Sequence, residues 1–503
     1  ATFSGAGRTL TPVLNHVPQA GANLTVVEVT GLAFITQPFS NIAHGSTVTL
    51  THNGVSYEYI ADYFGGSGND FELVWKHGRP VAWGPNQYTY GTSYGGSDST
   101  TRAIPWPVSF TGPLAGKTIL RLSTGRTHTL AVCTDGSVLA WGRNSQGQLG
   151  NNSTFDSTVP VVVNTAQGIS ALYDKKVVAV AAGDTHSLAL CSDGTLVAWG
   201  NNCDGQLGNN NTPNDSSVPV LVNRTSGVSA LFNKDVVSIS AGNNFSLALT
   251  ADGLMASWGE NLHGQLGNGT TADKAVPFAV SRTSGALYPS RTVVAISAGG
   301  EHSLAIRSDG VVVGWGYNNN GELGDNSIAQ RTLAVAVNAD AGSALHVPPS
   351  GRKAVTAISA GVYHSLALCE DGSVVSWGSN DGGQLGNPAL PFTYKSVPTA
   401  VHAGAGSALQ GKTVVDVAAY SDFNLALFSD GTLASWGRAS KDGTLGDNAL
   451  AEWGSSTPQN VSGLALSSAE YFGRLTQGGT ADSSIQLTRG RPLRPWFCLF
   501  QLL

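Results

Sequence analysis

The sequence predicts an all-β protein: a seven-bladed β-propeller of four-stranded antiparallel blades, with an extra N-terminal β segment and a C-terminal tail. Three observations carry this. A Trp-Gly pair recurs at Trp83, Trp141, Trp199, Trp258, Trp315, Trp377 and Trp436, at spacings of 58, 58, 59, 57, 62 and 59 residues. Each pair is embedded in the same strand-turn-strand pattern. Charged residues are 12% of the chain while Gly numbers 63, a turn-rich composition unlike that of a helical enzyme. A period of this length is the mark of a repeat architecture. An eighth pair, Trp453-Gly454, is out of phase and lacks the flanking pattern.

The unit is clearest over residues 177–210, VVAVAAGDTHSLALCSDGTLVAWGNNCDGQLGNN. VVAVAAG is a continuous apolar run, as for a strand covered on both faces. HSLALC and TLVAWG follow, separated by Ser-Asp-Gly, a hairpin signal. A fourth strand, PVLV, follows a long polar loop. A sheet with two apolar faces cannot bury both alone, and stacking sheets around an axis does so. The Trp supplies bulk between neighbouring sheets, and its Gly lets the backbone turn out of the strand. The loop after Trp-Gly repeats as NSQGQLGNN, NCDGQLGNN, NLHGQLGNG, NNNGELGDN and NDGGQLGNP, and its Leu (Leu149, Leu207, Leu266, Leu323, Leu385, Leu445) is expected to pin it to the blade.

Two columns invite chemistry and are read as architecture. His128, His186, His302 and His364 share one position, where Phe245 and Phe423 stand in other units. One residue per blade keeps them apart, so a core histidine bonded to a backbone group is expected rather than a metal ligand. Cys133, Cys191 and Cys369 also share a position and are expected to be free, buried and small; Cys203 and Cys498 complete a set that forms no disulfide framework. The segment GGSGNDFEL, residues 65–73, approaches a calcium nonapeptide, but Glu72 stands where an apolar residue belongs and there is one copy, so a plain turn is favoured.

The long motif GxxHSLAL…DGxVxxWGxNxxGQLG resembles the repeat of the regulator of chromosome condensation family, well over residues 117–460 and weakly over 54–110. The resemblance implies a seven-bladed propeller. The family's eukaryotic founder is a nucleotide exchange factor that binds chromatin. Here the net charge is −6, which gives no basic footprint for nucleic acid, and no long insertion stands ready as a wedge against a GTPase. The spacer GxSALxxK and the low charge are similar to a bacterial secreted type, whose members bind proteins through one loop-covered face.

Domain boundaries are expected at residues 1–53 for an N-terminal β extension, 54–461 for the propeller and 462–503 for the tail. The first unit keeps Trp83-Gly84 but lacks GQLG. The start at Ala1 fits a removed signal peptide, and no apolar run of about 18 residues offers a membrane span. Arg489, Arg491 and Arg494 are read as a solvated end. No Ser-His-Asp context, paired-carboxylate cluster, metal set or cofactor motif stands out. The expectation is therefore a non-catalytic, secreted or cell-surface propeller that binds a protein. Off-column aromatics are its candidate contacts: Tyr88, Tyr90, Tyr94, Phe155, Tyr317, Phe392, Tyr394 and Trp453. The alternative is self-association into a surface fibre, joined by strand addition through the two ends.

Overall fold

Each full copy of the repeat folds into one antiparallel sheet whose four strands are hydrogen-bonded in sequence order. The computed structural model describes residues 112–461 with short breaks (283–284, 288–290, 349–350, 431, 439–444, 446 and 448–454), and outside that span mainly the backbone of eight strands. Blade 1 comprises Ile119–Thr124, His128–Cys133, Val138–Gly142 and Ser157–Val162; blade 2 Val177–Ala182, His186–Cys191, Leu196–Gly200 and Ser216–Leu221. Blade 3 comprises Val236–Ala241, Phe245–Thr250, Met255–Gly259 and Lys274–Ala279; blade 4 Val293–Ala298, His302–Arg307, Val312–Gly316 and Arg331–Ala336. Blade 5 comprises Val355–Ala360, His364–Cys369, Val374–Ser379 and Tyr394–Ala400; blade 6 Val414–Tyr420, Phe423–Phe428, Leu433–Gly437 and Ser455–Asn460.

The propeller has six blades, not the seven expected. The strands around Trp83 do not make a blade. Asp70–Trp75 pairs with Val55–Gly65 and Leu24–Val27, in a sheet that also takes Thr47–His52. Arg79–Gly84 pairs instead with Arg102–Pro107 and with Leu487–Gly490, which in turn pairs with Tyr471–Phe472. The unit that repeats in sequence is thus divided between two sheets that recruit distant strands. The N-terminal sheet meets blade 1 through the buried Asp62, whose carboxylate lies 2.6 Å from Arg121 on the inner strand.

The inner strands stand side by side from blade 1 to blade 6. Serine hydroxyls accept backbone N–H groups across them: Ser123 from Ala182, Ser240 from Ala298, Ser297 from Ala360 and Ser359 from Ala419. The glycine that ends the inner strand in blades 1 to 5 is replaced by Tyr420 in blade 6. Its buried hydroxyl donates to Gly125 O at 2.5 Å, which returns the last blade to the first.

The junctions between blades show why the motif repeats. Trp199, Trp258, Trp315, Trp377 and Trp436 are fully buried, and each donates Nε1–H to one carbonyl of the preceding blade: Gln148, Gln206, Gln265, Glu322 and Gln384. Those carbonyls belong to the GQLG loops. The Gly that closes each loop is held at positive φ under the next indole; a Cβ on Gly208 would lie 2.7 Å from Trp258 Nε1. The apolar cores follow suit, since Trp258 packs with Val178, Leu188 and Leu207 of blade 2. The loop leucines are buried as expected.

The histidines serve the same junctions, which corrects the expectation of a backbone partner. His128 and His186 hydrogen-bond through Nε2 to Ser187 and Ser246 of the following blade, at 2.8 and 3.0 Å. Each serine hydroxyl spends its own hydrogen on the carbonyl of Gln148 or Gln206. The imidazole must therefore donate from Nε2, which fixes a neutral tautomer. His364 confirms the assignment, because its Nε2 meets Asn424 Oδ1, an atom with no hydrogen to give. The columnar cysteines are free and buried, while Cys203 is free and exposed.

Candidate functional site

The antiparallel order of the strands sorts the loops onto two ends. One end collects the Asp-Gly turns and the spacers between blades. Among the described residues seven ion pairs clamp it, including Lys175–Asp193 at 2.5 Å and Lys234–Asp252 at 2.6 Å. The other end collects the turn after the inner strand and the long loop after Trp-Gly. There a backbone bond joins the two within each blade, as from Asn201 N to Thr185 O and from Tyr317 N to Glu301 O.

This second end carries the side chains that vary most between copies. The residue after Trp-Gly is Arg143, Asn201, Glu260, Tyr317, Ser379 or Arg438; the residue its N–H bonds is Thr127, Thr185, Asn244, Glu301, Tyr363 or Asp422. The framework beneath is constant. The loop asparagine, for example Asn144, is fully buried, accepts Leu149 N–H and donates to the Ser153 and Phe155 carbonyls. Fixed columns under a variable surface let each blade present different chemistry without changing the fold.

Four of the aromatic candidates are described, and all rise from this end. Phe155 is 83% exposed, Phe392 60% and Tyr394 45%. Tyr317 lies edge-on to His263, with ring centroids 5.0 Å apart, and 5.9 Å from Tyr363, joining three blades. Tyr88, Tyr90, Tyr94 and Trp453 fall outside the described residues, as do the side chains of Trp83, Arg489, Arg491 and Arg494 and most of the 65–73 turn. His263 and Tyr363 were not among the candidates. A signal for Tyr363 existed, since it is the one aromatic at its turn position; His263 offered none.

Charge is mixed over this end. Arg126, Arg143 and Arg438 stand on blades 1 and 6 with Asp156 and Asp422, and Asp204, Glu260, Asp273 and Glu301 on blades 2 to 4 with Lys274 and Arg331. Asp184 sits at the border, 3.3 Å from Arg126, and burial still pushes its carboxyl up to about 6. Glu322 replaces the loop glutamine in blade 4. It is wholly buried and receives the Asn320 N–H and Nδ2–H groups at 2.9 and 2.7 Å, yet burial pushes it up to about 7. An acid raised by folding holds its proton more tightly folded than unfolded. Glu322 therefore costs stability as pH rises from about 4.5 to 7, in full above that, by roughly 3 kcal/mol. Glu322→Gln should raise stability in denaturant titrations at pH 8 by an amount of that order and leave it nearly unchanged at pH 4. Equal effects at both pH values would refute this account. Among the described residues no group of three or more His, Cys, Asp or Glu is arranged to hold a metal.

Comparison with known proteins agrees with this architecture. The chain is 32% identical over 292 residues to the Ultraviolet-B receptor UVR8 of Arabidopsis thaliana, covering 58% of this chain and 59% of that one. It is 33% identical over 277 residues to the probable E3 ubiquitin-protein ligase HERC6 of Homo sapiens, covering 55% of this chain and 25% of that one. The chain thus spans less than two thirds of the length of these relatives. Among solved structures, Prp20p from Saccharomyces cerevisiae superposes with a TM-score of 0.67 at 22% identity, covering 83% of this chain and 92% of that one. Human WBSCR16 gives 0.66 at 20% identity, covering 83% and 100%. The RCC1-like domain model matches residues 79–480. The chain therefore belongs to the RCC1-like domain family.

Proposed function

We propose that this protein is a non-catalytic binding propeller that recognises a protein partner through the end bearing the long loops, and that it works outside the cell or on its surface. The observation that carries the reading is the contrast between fixed columns and freely varied, exposed positions at that end. Exposed aromatics such as Phe155 and Phe392 have no part in the core beneath them. Large rings at exposed loops contribute most per residue to protein association. A structural relative points the same way: Prp20p is described with its binding to Gsp1p and histones. The ligase name of HERC6 belongs to a protein of which this chain spans a quarter. The 12% charge supports the extracellular part of the reading. No helix among the described residues is long and apolar enough to cross a membrane.

The test places a photo-crosslinking amino acid at Leu262, Phe155 or Phe392 on the loop end, and at Tyr173 or Phe232 on the spacer end. Expression in the source cells followed by irradiation should give protein adducts from the loop end. Adducts only from the spacer end, or none, would reject the binding face. Recovery of the chain solely inside the cells would reject the location.

A further inference from the structure

The acidic side chains of the loop end have a local focus between blades 3, 4 and 5. His263 Nε2 lies 3.1 Å from Glu301 Oε2, and the same ring meets Tyr317 edge-on. Tyr317 in turn lies 5.9 Å from Tyr363, which is 39% exposed. Glu260 stands beside this cluster. Burial raises its carboxyl, and the charges of Asp204 and Glu301 raise it further. Its hydrogen bond is a long one, from Asn244 Nδ2 at 3.5 Å. Asp204 and Glu301 thus both disfavour the ionised form of Glu260.

A second observation comes from below the surface. Gln265 is fully buried and accepts the His263 N–H through Oε1, but its Nε2 has no partner. Gln148 Nε2 is likewise without a partner, but in two other copies the same amide is engaged: Gln206 Nε2 donates to Asn201 Oδ1 at 2.6 Å, and Gln384 Nε2 to Asp422 Oδ1 at 3.3 Å. Asn201 and Asp422 occupy the positions that Glu260 and Glu301 hold in blades 3 and 4. Here neither carboxylate turns to the amide beneath it. Glu301 faces His263, and Glu260 is half-buried, with Asn244 as its hydrogen-bond partner and Glu301 close enough to raise its carboxyl.

From this arrangement we propose that Glu260, Glu301, Tyr317 and Tyr363 form the anchoring site for a lysine or arginine side chain of the protein partner. The carboxylates supply the counter-charge, and a cation settling among them relieves their repulsion. The tyrosine faces add a cation–π contact, which acts within about 6 Å of a ring. The site rests on the reading of the loop end as the binding face and names what that face takes.

The probe is a fluorescein-labelled peptide of four Lys-Ser-Gly units, with arginine and glutamate counterparts, followed by anisotropy on the full chain. The lysine and arginine peptides should bind and the glutamate peptide should not. Affinity should fall several-fold between about 50 and 300 mM salt. Glu260→Gln with Glu301→Gln should weaken binding by about tenfold or more, and Tyr317→Leu by about threefold. Asp193→Asn with Asp252→Asn, at the opposite end, should leave it unchanged. The carboxylate-to-amide substitutions keep shape, and an unchanged circular dichroism spectrum at the assay temperature confirms the fold of every variant. Absence of binding by the basic peptides, or an equal loss in the opposite-end variant, overturns the site. Crosslinking separates the two readings. Adducts at Leu262 that persist undiminished in the Glu260/Glu301 variant sink the anchor alone. No adducts from the loop end sink the face.

Discussion

Acidification from pH 7 to pH 4 should unfold this protein steeply, and the histidine column should account for most of the slope. Burial pushes His128, His186 and His302 down to about 3, with a neighbouring imidazolium as the second cause for His128 and His302, and burial lowers His364 as well. In the unfolded chain each titrates near 6.5. Between those values the unfolded state binds protons that the folded state refuses. The stability is thus fully present above about 6.5 and is lost as pH falls. Each histidine contributes on the order of 1.4 kcal/mol per pH unit in that window. Asp184 and Glu322 act in the opposite sense, because their raised carboxyls are already protonated in the folded state near pH 5. From the three histidines near 3, less the two acids, the net slope near pH 5 is roughly 2 kcal/mol per pH unit, and His364 adds to it in the same direction, against a typical total stability of about 5–15 kcal/mol. Urea titrations at pH 7, 6 and 5 measure it. His302→Phe should flatten the slope by about one proton, since Phe245 and Phe423 show that the column accepts the ring. It should also lower stability at pH 7 through the lost bond to Ser365. A stability unchanged from pH 7 to 5, or a slope unaltered by the substitution, would contradict the argument.

The parts of the molecule legible in its sequence are those whose physics is local and repeated. The Asp-Gly hairpins, the buried Trp at each Trp-Gly pair from 141 to 436 and the GQLG leucines follow from residues within one unit. The number of blades does not. The spacing of 58 between Trp83 and Trp141 is the same as that between true blades. What decides the outcome is pairing between Arg79–Gly84 and Leu487–Gly490, some four hundred residues apart, which no local period reports. One hint was present: the first unit lacks GQLG, the motif whose carbonyl receives the next blade's tryptophan in the other copies. Trp141 Nε1 has no hydrogen-bond partner among the described residues. Tyr420 gave a comparable hint as a large residue in a glycine column, but its partner Gly125 lies 295 residues away. The candidate site was legible only in part, because it is assembled from the variable positions of three blades.

That unpartnered indole sets up the second large effect. Trp258→Ala should cost about 3–5 kcal/mol, since it empties a fully buried site packed against blade 2. Trp258→Phe retains most of the bulk and should cost less, with about 1 kcal/mol of the loss assigned to the bond from Nε1 to Gln206 O at 2.9 Å. The carbonyl keeps the Ser246 hydroxyl, which prevents a larger penalty. Trp141→Phe changes the same ring in the same column but surrenders no such bond, and removes a buried donor left without an acceptor. Its cost should be smaller by about 1 kcal/mol or more. Denaturant titration of the two Phe variants isolates the hydrogen bond from the packing, because shape change is common to both. The Trp258 variants should also lose hydrogen-exchange protection first along Val236–Ala241 and Leu196–Gly200, the strands that flank the weakened junction. Equal losses for Trp141→Phe and Trp258→Phe would mean that the carbonyl contacts are incidental and that ring volume alone holds the blades together.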